Sequence, residues 1–250
     1  MFLLVTLSAA ISARADYETL NAFVAFGGGF GMGGKLYTSS DQASGSTATT
    51  YKDRFFNYGS GFKFDLGCQY FVMEDVALQP SFSYSVAPTF KYHTTTSVLN
   101  DNWEVSRHLF GLKLAVVPRF EVLDLIDMYA GVGLGFFWNV SHFERTTTVP
   151  TLTVVQNAEG SNVSLPTIGF NGMLGADYPL TDKFTFFGEL GFEQMRFKLK
   201  KRVVDQSTIT LMPEGTTFYS KNDSQNLDPE EIPGSNFQIR VGIRYAISTR

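Results

Sequence analysis

Apolar and polar side chains alternate with period two along most of the chain. Residues 237 to 245 set Phe237, Ile239, Val241, Ile243 and Tyr245 against Gln238, Arg240, Gly242 and Arg244. Successive strand side chains point to opposite faces, so this stretch predicts a strand with one apolar and one polar face. The same alternation covers residues 62 to 70, with Phe62, Phe64, Leu66, Cys68 and Tyr70 opposite Lys63, Asp65, Gly67 and Gln69. It covers residues 76 to 86 as well, where Val76, Leu78, Pro80, Phe82, Tyr84 and Val86 oppose small polar residues. Further strands are predicted at about 22 to 37, 105 to 120, 128 to 145, 167 to 178 and 184 to 199. The 184 to 199 segment loses phase after Phe192, and Arg196 and Lys198 there imply a bulge or emergence from the apolar zone.

In residues 127 to 144, DMYAGVGLGFFWNVSHFE, Gly131, Gly133 and Gly135 alternate with Val132, Leu134 and Phe136. A phosphate-binding loop needs a helix N-terminus after its glycines. Phe137, Trp138 and Val140 favour strand instead, so these glycines belong to the face opposite the apolar one.

The connectors alternate between short and long. Short ones fall near Met73-Glu74-Asp75, Leu123-Asp124-Leu125-Ile126 and Thr181-Asp182, and Thr/Ser/Asn-rich long ones at about 38–54, 93–104, 146–164 and 204–235. A soluble sandwich would share the alternation. Eight strands with tight turns at one end and long loops at the other predict an all-β fold, an eight-stranded antiparallel up-and-down transmembrane β-barrel. Closure pairs every backbone polar group without water. Aromatic girdles are expected at both ends: Tyr70, Phe71, Phe120, Tyr129, Tyr178, Phe184 and Tyr245 by the turns, and Phe55, Phe56, Tyr58, Phe90, Tyr92, Trp103, Phe137, Trp138 and Phe143 by the loops.

Composition agrees with a membrane strand protein. Of 250 residues, 15% are aromatic and only 18% charged, yet no internal run approaches the roughly 20 apolar residues of a membrane-spanning helix. The apolar stretch Phe2 to Ile11 followed by Ala13-Arg14-Ala15 reads as a signal peptide over residues 1–15, cleaved after Ala15. It lacks a basic leader region, so the true start is expected upstream. A net charge of −4 argues against a nucleic-acid partner. The single cysteine, Cys68, excludes an internal disulfide, and no metal or cofactor is expected.

Over residues 16–250 this pattern resembles the eight-stranded outer-membrane β-barrel superfamily of the OmpA, OmpX and opacity-protein type. The last strand resembles the family's assembly signal at Arg240, Gly242, Tyr245 and Ile247, although the chain continues through Ser248, Thr249 and Arg250 where relatives end on an aromatic residue. The resemblance implies a monomer in the bacterial outer membrane among its lipids and lipopolysaccharide, inserted by the barrel-assembly machinery. It implies no particular activity, and no further domain is expected after the barrel.

With the apolar faces in lipid, the lumen receives Lys63, Asp65, Lys113, Arg119, Asp177, Glu189, Glu193, Arg240 and Arg244. An eight-stranded barrel is just wide enough for side chains to fill. Near-balanced charges are therefore expected to pair, Glu189 with Arg240 above all, with Lys63, Asp65 and Lys113 nearby. The inward glycines, Gly175 included, would leave some space, so a small conductance is the alternative. Catalysis is not expected. Ser141 and His142 are consecutive and point to opposite faces, while His142 shares its face with Glu144, and His108 beside Ser106 and Arg107 fares no better. The expected role is structural or surface interaction through the loops, several of which read as hairpins, with a host or envelope protein as partner. Alternatives are a small channel or transporter for hydrophobic or small polar solutes and, third, a lipid-modifying enzyme.

Overall fold

The computed structural model describes residues 20–42, 49–96, 99–123, 126–149, 154–211 and 216–248, with residues 35–42, 49–55, 122–123, 216, 219, 221–230 and 248 described by their backbone alone. The expected signal peptide, the connector residues Asp124 and Leu125, Pro150 and the terminal Thr249 and Arg250 lie outside them.

Eight strands close a ring. They are β1 (Leu20–Gly31), β4 (Gly61–Met73), β5 (Val76–Thr95), β6 (Asn100–Leu123), β7 (Ile126–Val149), β9 (Thr167–Pro179), β10 (Phe184–Gln194) and β13 (Asn236–Ser248). Each pairs antiparallel with the next, and β13 returns to β1 from Ala22↔Tyr245 to Gly31↔Asn236. Closure leaves the ring no free edge, the only way a sheet can satisfy its backbone inside hydrocarbon. Tight connections occupy one end. Glu74 and Asp75 alone link β4 to β5, and Thr181 Oγ1 accepts from the backbone of Lys183 and Phe184 to close the β9–β10 turn.

At the other end the expected loops are themselves strands. They comprise β2 (Lys35–Gln42), β3 (Thr49–Phe56), β8 (Val154–Ser164), β11 (Arg196–Leu211) and β12 (Thr216–Pro233). Ladders β7–β8, β8–β11 and β11–β12 extend the barrel wall into one continuous sheet beyond the ring. The first predicted strand also divides, ending at Gly31 before the Gly33 bend and restarting at Lys35.

The faces of the ring explain the alternation. Leu134 is 61% exposed and Ile168 73%, whereas Asp65 is fully buried inside. Toward the loop end the pattern inverts. On β6, Leu112, Leu114 and Val116 face out beside inward Lys113, but nearer the loops the inward residues are Trp103, Val105 and Leu109. The segment from 184 to 199 does the same. Its strand breaks at Met195, held by Ser235 Oγ and by Gly234 N–H at 3.1 Å. Side chains continue to alternate through the break, but Met195, Phe197 and Leu199 now point in and Arg196 and Lys198 point out. Emergence from lipid into water is the physical reason: an apolar exterior suits hydrocarbon and an apolar interior suits water.

The inversion corrects the girdles. Phe56, Tyr58, Trp103, Phe137 and Phe143 are buried inside the loop end of the barrel, with Phe90 and Tyr92 packed against them, rather than facing an interface. Phe71 and Tyr129 at the turn end also point inward. Tyr70, Phe120, Tyr178, Phe184 and Tyr245 do face out around the turn end. On the exterior near the loop end, Phe110 stacks on Trp138 and Tyr84 on His108.

Candidate functional site

Two ion clusters fill the lower and middle lumen. On β4, Lys63 pairs with Glu193 of β10, whose carboxylate also accepts from Lys113 Nζ at 3.2 Å and Asn236 Nδ2 at 2.9 Å. Lys113 bridges onward to Asp65 at 2.6 Å, and Asp65 binds Arg240 Nη1 at 2.8 Å. Arg240 closes the chain on Glu189, its direct partner in the β10–β13 ladder, and Tyr129 donates to the other Glu189 oxygen at 3.1 Å. Three cations thus meet three anions. Nearer the turns, Arg119 and Arg244 both bind Asp177, and Asp127 lies 3.8 Å from Arg119. The Arg244 guanidinium also lies over Phe187 at 4.0 Å and Tyr129 at 4.6 Å. Eight of the nine predicted lumenal residues are buried, and Arg119, by the turns, is the exception. Such pairs contribute little net stability against apolar packing, but leaving one member alone is costly.

Aromatic rings occupy what the inward glycines leave. A Cβ on Gly135 would lie 2.6 Å from the Phe137 ring, and one on Gly175 would lie 2.3 Å from Tyr129. Phe137 also covers Gly111 and Gly169. The space expected to permit conduction is thus filled by Phe137, Tyr129 and Met173, because an eight-stranded lumen is scarcely wider than two facing side chains.

Above the charges, Trp103 organises the loop end. Tyr92 stacks on it at 5.8 Å, and Arg145 and Arg202 lie over its ring at 4.8 and 4.9 Å. Its indole N–H donates to Asp101 at 2.9 Å, and that carboxylate also accepts from Arg145 Nε at 2.8 Å and Thr147 Oγ1 at 2.7 Å. Partial burial pushes the Asp101 carboxyl up, but the hydrogen bonds from Arg145, Thr147 and Trp103 outweigh it and hold the group below its ordinary value.

The serine and histidine candidates are dispersed. Ser141 is buried inside and donates to the Asn162 carbonyl at 3.5 Å, while His142 outside meets Ser161 of β8 at 3.0 Å. His108 Nδ1 lies 2.8 Å from the Tyr84 hydroxyl. Among the described residues no cluster of three His, Cys, Asp or Glu could hold a metal ion. Among the described residues, Arg107 is a fully inward, buried cation that the predicted lumenal set lacks. Arg107 is only 5% exposed and shares its face with Lys113 and Arg119, so strand parity could have found it.

The model of the outer membrane protein beta-barrel domain matches residues 1–249. The chain belongs to this outer-membrane β-barrel family. It is a bacterial outer-membrane protein that crosses the bilayer with strands. Among solved structures it is similar to OprG of Pseudomonas aeruginosa, at 12% identity over 93% of this chain and 97% of that one, with a TM-score of 0.44. It is likewise similar to Neisserial surface protein A, at 11% identity over 91% and 95% of the two chains with a TM-score of 0.41. A third is Ail, the attachment invasion locus protein of Yersinia pestis, at 10% identity over 92% and 100% with a TM-score of 0.35. No curated protein matches the chain.

Proposed function

We propose that this barrel is a surface-interaction protein, anchoring a stiff β-sheet that meets a host or envelope protein outside the cell. The observation that carries this reading is the continuous β7–β8–β11–β12 ladder rising from the barrel wall. Strand β12 ends the sheet order with one edge unpaired among the described residues, and such an edge can take a partner strand by β-addition. A lumen filled by paired charges and by the ring of Phe137 favours an anchor over a channel. The same reading has a leader cleaved after Ala15 and a monomer embedded among outer-membrane lipids and lipopolysaccharide. It assigns insertion by the barrel-assembly machinery to the β13 signal, on which Tyr245 and Ile247 face lipid and Arg240 and Gly242 face the lumen.

Removing residues 203–229 deletes most of the β11–β12 hairpin and keeps Leu199 and Ile232 of the inner core. Cells displaying the shortened chain are expected to lose adhesion to host cells or matrix with envelope permeability unchanged. Unchanged adhesion with altered permeability would overturn the reading in favour of transport.

A further inference from the structure

Among the described residues, the strand ladders of the barrel wall leave a gap beside Arg107. Strand β4 starts at Gly61, and its ladder to β5 reaches no farther than Phe62↔Val86. Beyond that rung, β5 has among the described residues the single Ser40↔Thr94 bridge on the same side, and its ladder to β6 slips between Ala87 and Phe90 around Pro88, which has no N–H to donate. Gly61 itself has φ of 131°, and a Cβ there would lie 2.3 Å from the Val86 carbonyl oxygen, so only glycine fits where the ladder stops. An open cleft of about 850 Å³ lies at the gap, lined by Phe30, Phe62 and Val86, which are exposed on the exterior, and by Ser60 and Arg107.

Among the described residues, Arg107 binds no carboxylate. Its Nη2 reaches Ser60 Oγ at 3.4 Å and its plane lies 4.7 Å over the Phe56 ring, but Nε and Nη1 are buried without a hydrogen-bond partner. The other buried lumenal cations, Lys63, Lys113, Arg240 and Arg244, each bind a carboxylate. A buried guanidinium left unpaired is costly, and its planar fork matches a carboxylate with two parallel hydrogen bonds.

We propose that this cleft binds a long-chain fatty acid laterally from the membrane, its carboxylate on Arg107 and its acyl chain along Phe30, Phe62 and Val86. One cation suits one anionic head. This goes beyond the adhesive reading, which concerns the distal hairpins, and stands or falls separately from it.

The test uses the full chain purified in dodecyl maltoside and carboxyl-labelled palmitate followed by carbon NMR, with heat-modifiable gel migration confirming folding. Saturable binding is expected, weakened about tenfold or more in Arg107→Met and largely kept in Arg107→Lys. Hexadecanol, with the same chain and no charge, is expected to bind alike to all three. Val86→Trp, on the exterior, is expected to block palmitate while leaving Arg107 in place. The proposal is overturned if palmitate does not saturate the native chain, or if it binds the native chain, Arg107→Met and Val86→Trp equally. It is overturned too if native mass spectrometry finds a glycerophospholipid held by the native chain and lost from Arg107→Met.

Discussion

Arg240 and Glu189 are direct partners in the β10–β13 ladder, joined as an ion pair whose guanidinium also binds Asp65 at 2.8 Å. Removing the cation strands the buried Glu189 carboxylate and leaves Asp65 with Lys113 as its cation. Arg240→Met is expected to cost about 3 kcal/mol or more. Adding Glu189→Gln to it removes the stranded charge and is expected to recover part of that loss. Reversible urea unfolding in lipid vesicles, read by the gel shift of the folded barrel, checks both. Equal stability of the native chain and Arg240→Met would contradict the ion pairing.

A second relationship depends on shape. Phe137 fills the lumen where Gly135, Gly111 and Gly169 offer no side chain. Gly135→Ala is expected to destabilise by about 1 to 3 kcal/mol through overpacking. Phe137→Ala, which leaves a cavity, is expected to cost about 3 to 5 kcal/mol. In the Phe137→Ala background the two nearest ring atoms are gone and the next, on the Lys113 stem, is 3.1 Å from the new methyl at position 135, so its penalty should largely vanish. Additive penalties in the same unfolding assay would show that the ring and the glycine do not depend on each other.

Strand parity carried much of this arrangement in advance. Lys113 and Arg119 are an even number of residues apart, as are Arg240 and Arg244, so period two alone sets each pair on one face. What parity could not show was which partners meet. Lys63 and Glu193 are 130 positions apart, and their contact depends on the stagger between strands around the ring. Nor does an aromatic residue near a strand end reveal its solvent. Phe143 reads as an interface residue from its place near a strand end, yet its parity with Gly135 and Phe137 puts it inside, where the barrel has already left the membrane. Arg107 is legible by the same parity, an even number of residues from Lys113 and Arg119.

Acid should loosen the loop end first at Asp101. Its folded-state carboxyl is held below the ordinary value, so the stabilisation from Arg145, Thr147 and Trp103 is fully present above the unfolded carboxylate pKa of about 4. It is lost as pH falls through the lower folded value. With Trp138→Phe leaving Trp103 as the sole indole, its fluorescence is expected to be flat at neutral pH and to change below about pH 4. Asp101→Asn should remove that transition. A persistent transition in Asp101→Asn would assign it to another group.

The inversion of polarity along β7 locates the membrane boundary, and one substitution at two heights can test it. Leu134 and Glu144 lie on the same outward face, but Leu134 is in the apolar band whereas Glu144 stands where the interior has become apolar and the exterior polar. An arginine in the band must bring its charge into hydrocarbon or drag water after it. Leu134→Arg is therefore expected to destabilise by about 2 to 4 kcal/mol, and Glu144→Arg by about 1 kcal/mol or less. Vesicle unfolding measures both against the native chain. If the two substitutions cost the same, the polarity switch on β7 does not mark where lipid ends and water begins.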